Sequence, residues 1–186
     1  DNGNLIFDFK YCLVKLFLCR HGQTDHNRND IIQGQMNTSV NKKGLKQAEK
    51  LAKRLREENI DFIYSSSINR AEETAKVLSE KTGLDVNKTD HLKEIDRARF
   101  EGEPSESLME EVAGADVEEY LWSPKNGESW KEVKDRCMKF FQRIKKEHEG
   151  EKVAVVAHGG SISVSIMGML KHSAKNCYRI HQDNCC

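Results

Sequence analysis

The chain has 186 residues, with 30 basic against 30 acidic side chains, six cysteines, two prolines, 37% hydrophobic and 32% charged residues. At roughly 150 residues per domain this length allows one domain; such a chain buries about 70% of its unfolded surface and needs no disulfide or metal staple. A formal net charge of zero argues against nucleic acid or an anionic membrane as main partner, so any anion must be met by a few local charges.

Residues 1–10 start acidic and without Met, and read as an N-terminal extension to a single domain over 11–186. Asp8, Lys10 and Lys15 interrupt the early apolar run, so it does not read as a secretory signal. No stretch of 18 apolar residues reads as a membrane span. The cysteines at 12, 19, 137, 177, 185 and 186 form neither a CxxC pair nor a framework, which predicts reduced thiols and a cytoplasmic setting.

Leu13 to Cys19 is a short apolar run ending at a glycine loop, and predicts a buried strand. From Asn41 to Glu58, Leu45, Ala48, Leu51, Ala52 and Leu55 share one helical face, with lysines and glutamates opposite. Phe62 to Tyr64 predicts a strand, and Ile68 to Lys81 a helix that stops at Gly83. A brief strand is predicted near 85–88, then helices over 104–122 and 128–148, parted by Ser123 to Gly127. Val153 to Ala157 is the most strand-like run, and a helix from Ser161 to Leu170 follows it.

Strands alternating with helices imply crossovers and a mainly parallel sheet between helical layers, a three-layer α/β/α sandwich. In such a sheet the ligand site lies beyond the carboxyl ends of the strands. Three loops meet that condition: Arg20-His21-Gly22, Ser65 to Arg70, and His158-Gly159. Together they would gather two arginines and two histidines at one edge. Guanidinium forks match phosphoryl oxygens, and the helix opened by Gly159 and Gly160 favours an anion at its N-terminus.

Arg20-His21-Gly22-Gln-Thr24-Asp-His-Asn27, followed by Gln33-Gly34, resembles the signature of the histidine phosphatase superfamily, in its phosphoglycerate-mutase-like branch. Ser65 to Ala75, Leu92 to Gly102, Gly127-Glu128-Ser129 and Val155 to Gly159 are similar to its later blocks, in the family's order. The resemblance runs from about Lys15 to Gln182. It implies a metal-independent phosphomonoesterase with no cofactor, acting on a small phosphorylated metabolite through a phosphohistidine.

Residue by residue, it implies His21 as nucleophile and Glu94 as the acid that protonates the leaving alkoxide and later activates water. Arg20, Asn27, Arg70 and His158 would hold the phosphoryl oxygens. None of these residues lies beyond His158. The chain departs from the family at Ser67, a usual proline, and at Ala98, a common glycine whose loss reads as mild. Tyr178 to Cys186 resembles the run into a final edge strand, which is expected to be cut short.

Arg97 and Arg99 beside the acid raise the possibility that one of them meets a second anionic group of the substrate. Three other functions stand beside the phosphatase. One is a phosphoglycerate mutase; another is a non-catalytic relative that binds a phospho-ligand. The third is a metal site built from His21, His26, Glu94 and His158.

Overall fold

The computed structural model describes residues 13–171 and 183–185. In chain order these form β1 (Lys15–Arg20), α1 (Asp25–Arg28), α2 (Lys42–Glu57), β2 (Phe62–Ser66), α3 (Asn69–Thr82), β3 (Val86–Thr89), α4 (Ser105–Ala113), α5 (Trp130–Glu147), β4 (Lys152–Ala157) and α6 (Gly159–Met169). Two 3-10 turns, Asp90–Leu92 and Ala98–Phe100, lie between β3 and α4.

The strands make one sheet in the order β1-β4-β2-β3, and every neighbouring pair is parallel. β4 is an unbroken apolar run from Val153 to Ala157 and is buried along all of it, as a strand covered on both faces must be. Its side chains alternate. Ala154 and Val156 pack with Leu51, Leu55, Ala71 and Leu78 of α2 and α3. Val153, Val155 and Ala157 pack with Phe140, Phe141, Ile144 and Ile162 of α5 and α6. The period of two in one strand therefore serves two cores, and the α/β/α layering follows from it.

The helix termini carry their own chemistry. Asn41 caps α2 by accepting from Gly44, and Ser129 with Glu132 closes a reciprocal cap on α5. α3 ends at Gly83, whose φ of 78° is left-handed, which suits glycine. Leu45, expected on the apolar face of α2, is instead 42% exposed.

The helix expected over 104–122 is shorter, and stops at Ala113. Its last turn carries Glu110 and Glu111 and no basic residue, against the helix dipole, and Gly114 follows. Among the described residues no helix is long and apolar enough to cross a membrane. Cys19 and Cys137 are buried thiols. The extension 1–10 and most of the run from Tyr178 lie outside the described residues. What is described of that end reaches the sheet, where Cys185 donates its N–H to the Arg20 carbonyl of β1 at 2.9 Å.

Parallel register sets the site. Arg20 pairs with Ala157 and Ser65 with Val156, so the loops after β1, β4 and β2 leave the sheet side by side.

Candidate active site

His21 follows β1 directly, and its backbone N–H donates to Ala157 at 3.0 Å. The chain then presses against the start of α2. A Cβ on Gly22 would lie 2.5 Å from the Gly44 carbonyl oxygen, so only glycine permits this approach. The His21 ring is 2% exposed. Its Nδ1 lies 2.8 Å from the Gly22 carbonyl, which can only accept, so Nδ1 carries the proton and Nε2 the lone pair. Burial, reinforced by the Arg70 and Arg20 charges, holds its pKa well below the histidine range, while the Gly22 bond pulls the other way. The ring is a neutral imidazole at pH 7, with its Nε2 lone pair unprotonated.

Arg70 enters from the first turn of α3 and is 1% exposed. Its Nε donates to His21 Nε2 at 3.2 Å. Nη1 donates to the Met36 carbonyl at 2.9 Å and to Thr38 Oγ1 at 3.3 Å, and Nη2 to the Gly34 carbonyl at 2.8 Å. Burial lowers its pKa to about 10, against the pull of Glu94 and Glu101, so it stays cationic at neutral pH. Gly34 has a φ of 45°, and a Cβ there would overlap the Glu101 carboxylate. The loop 33–38 is thus wrapped on the guanidinium.

His158 caps α6 and is fully buried, its ring centroid 5.2 Å from that of His21. Ser66 Oγ accepts from Ile68 N–H and lies 2.8 Å from His158 Nε2. The other ring nitrogen, Nδ1, is buried and meets no partner among the described residues. Burial, then Arg70 and His21, push the His158 pKa well below its ordinary value. A buried polar nitrogen without a partner is costly unless a ligand supplies one.

Glu94 meets the first turn of α6 at Gly160. Its Oε2 accepts from Gly160 N–H at 3.0 Å and its Oε1 from Ile95 N–H at 2.9 Å. The Arg20 guanidinium lies 3.6 Å from where a Cβ on Gly159 would sit, so both charges flank the start of the same helix. Asn27 completes a reciprocal cap on α1, its Oδ1 accepting from Thr24 N–H at 3.1 Å. This turns its amide oxygen to the backbone and leaves the NH2 as the group to offer a ligand.

The sequence reading missed several parts. Ser66, which meets His158 Nε2 at 2.8 Å, lies within Ser65 to Ala75 and was assigned no role. Asn184, beyond His158, donates to the His21 carbonyl at 2.9 Å and approaches Asn27 Oδ1 at 3.5 Å; only its distance along the chain hid it. Arg97 and Arg99 separate. Arg99 is exposed and pairs with Glu111 at 2.7 Å. Arg97 is 8% exposed and stacks 4.7 Å from the Trp130 ring, which borders Gly160. His21, His26, Glu94 and His158 do not assemble as metal ligands: among the described residues no three His, Cys, Asp or Glu side chains could hold an ion.

Residues 16–186 match the family model described as histidine phosphatase superfamily (branch 1). A metal-independent phosphoserine phosphatase of Arabidopsis thaliana is 36% identical over 159 residues, 80% of this chain and 65% of that relative. Phosphoserine phosphatase 1 of Hydrogenobacter thermophilus is 34% identical over 151 residues, 78% of this chain and 71% of its own. The structure of a mycobacterial glucosyl-3-phosphoglycerate phosphatase with VO3 superposes with a TM-score of 0.81 at 30% identity, covering 90% of this chain and 88% of that one. With the family's blocks converging on one edge of a parallel sheet, the chain belongs to the histidine phosphatase superfamily, branch 1.

Proposed function

We propose that this metal-independent phosphomonoesterase works through His21, with Glu94 as its proton donor and acceptor. The observation that carries this is the neutral, Nδ1-protonated His21 with its Nε2 against the Arg70 guanidinium. A phosphoryl oxygen is a stronger acceptor for the Arg70 Nε–H than an imidazole, so substrate binding releases the Nε2 lone pair. Nε2 then attacks phosphorus, the P–O bond to the leaving group breaks, and the alkoxide takes a proton from Glu94. Water next attacks the phosphohistidine while Glu94 removes its proton, which yields inorganic phosphate and restores His21. Arg20, Arg70, Asn27 and His158, through its unpartnered Nδ1, would bind the phosphoryl oxygens throughout.

For the substrate we propose a small phosphate ester that also bears a carboxylate. Phosphoserine and phosphoglycerate, acted on by relatives, share that chemistry, and Arg97 beside Trp130 would receive the second anion. Hydrolysis of p-nitrophenyl phosphate, phosphoserine and 3-phosphoglycerate, each with and without EDTA, tests the reading beside His21→Ala. Release of inorganic phosphate unaffected by EDTA and lost in His21→Ala is expected. Activity in His21→Ala, or phosphoglycerate isomerised without phosphate release, would overturn it.

A further inference from the structure

Glu94 sits on a loop, one residue beyond the cap of the 3-10 turn Asp90–Leu92 and short of Ala98–Phe100. No strand or helix holds it, yet a proton donor must be fixed to a fraction of an ångström. Its carboxylate is aimed by Gly160 and Ile95, as described above. Its backbone is held by something else.

Arg136, on α5, uses all five of its N–H donors there. Nη1 donates to the carbonyls of His91 at 2.9 Å and Lys93 at 2.7 Å, and Nη2 to that of Glu94 at 2.9 Å. Nε and Nη2 complete a fork on Glu128, at 2.8 and 2.9 Å. Glu128 lies just ahead of α5, and its Oε2 also accepts from Asp96 N–H at 3.0 Å. Gln35 joins them, its Nε2 donating to the Glu94 carbonyl at 3.1 Å and to Glu128 at 3.3 Å. The Arg136 and Glu128 side chains are only 19% and 23% exposed. Burial alone would raise the Glu128 carboxyl; the Arg136 hydrogen bonds and charge, with the bonds from Asp96 and Gln35, together outweigh it and hold the group below its ordinary value.

We infer that Glu128 and Arg136 are positioning residues for Glu94, a forked ion pair that clamps the backbone on both sides of the proton donor. The pair makes no direct hydrogen bond to His21 or to the residues of the phosphoryl cradle, and three of the carbonyls it holds belong to Glu94 and the residues just before it. The inference rests on the reading of Glu94 as acid. Its chemical signature follows: misplacing a proton donor harms esters with a basic leaving group far more than those whose leaving group departs without a proton. A structural support would affect both alike.

The experiment compares kcat/KM for glycerol 3-phosphate, an alkyl ester with no carboxylate for Arg97 to meet, with kcat/KM for p-nitrophenyl phosphate. Arg136→Lys keeps the charge and loses the fork; Glu128→Gln keeps the shape and loses the charge. Glu94→Gln is the reference, and thermal melting confirms that each variant is folded. In both clamp variants the alkyl-to-aryl ratio is expected to fall on the order of tenfold or more. Adding Arg136→Lys to Glu94→Gln should change the ratio no further, since both act on one group. Equal losses on the two substrates, with the ratio intact, overturn the clamp. A ratio unmoved in Glu94→Gln itself overturns the acid assignment and the clamp with it.

Discussion

Replacing Gly160 by alanine separates the needs of folding from those of catalysis at one atom. Gly160 is the second residue of α6. A Cβ there would overlap Glu94 Oε1 and lie 2.9 Å from Trp130 Cζ3. Two effects act on stability. Alanine is up to about 1 kcal/mol better than glycine inside a helix, and less in a first turn. Displacing the Trp130 ring, with Arg97 stacked on it, is overpacking that costs about 1–3 kcal/mol. The net is a loss of roughly 1 kcal/mol, or about 2–4 °C in Tm for a chain of this size. Catalysis loses more. The carboxylate end is the softest neighbour and swings away, and a shift of about 1 Å in a catalytic group costs about a hundredfold in rate, near 2.7 kcal/mol of barrier. Steady-state kinetics on phosphoserine beside urea denaturation measures both. A folded variant that keeps kcat within threefold would refute the claim that the gap at position 160 exists for Glu94.

Three further outcomes follow from the same geometry. His21 and His158 both have pKa values depressed by burial, so below about pH 6.5 the unfolded chain takes up protons that the folded chain refuses. Stability to urea should therefore fall as pH drops from 7.5 to 5.5, less steeply in His21→Asn, and an unchanged midpoint would contradict the buried neutral rings. Ala98 has a φ of 49°, a left-handed conformation that costs alanine about 1–2 kcal/mol; the substitution called mild on sequence grounds is thus strained. Ala98→Gly, after glycine's own entropic cost, should raise unfolding stability by about 0.5–1 kcal/mol, and any loss in urea melts counts against the strain. Arg97→Met should raise KM for phosphoserine on the order of tenfold, the worth of a charged hydrogen bond, and more than for p-nitrophenyl phosphate. Arg99→Met, which removes an exposed ion pair of small worth, should leave both within twofold; equal effects of the two substitutions would sink the assignment of Arg97.

The strands and the site loops were legible because each apolar run ends at a conspicuous polar or glycine residue. Val153 to Ala157 needed no more than its own composition, and Arg20-His21-Gly22 and His158-Gly159 announced themselves by following strands. What was not legible depends on contacts between distant segments. Arg136 is one cation among many on an amphipathic helix, and nothing local marks that it serves three carbonyls of another loop. Ser66 and Asn184 are small polar residues whose effect lies in the ring nitrogen or carbonyl they meet. α1 has only four residues, too few for periodicity, and its Thr24–Asn27 cap lacks the acidic partner that usually signals one. The overlong helix beyond Ala113 shows the reverse error, in which propensity alone overrode the unfavourable charges at a helix end.

The sheet order β1-β4-β2-β3 has a consequence for how the protein is made. β4 is the last of the described strands in sequence, yet it lies between the first two. Until residues 152–157 have been synthesised, β1 and β2 have no common neighbour, and each presents an unpaired inner edge open to pairing with another chain. Arg20 and Arg70, the groups that would meet phosphate, also stand apart until that slot is filled. The phosphoryl site therefore cannot assemble before β4 lies between β1 and β2.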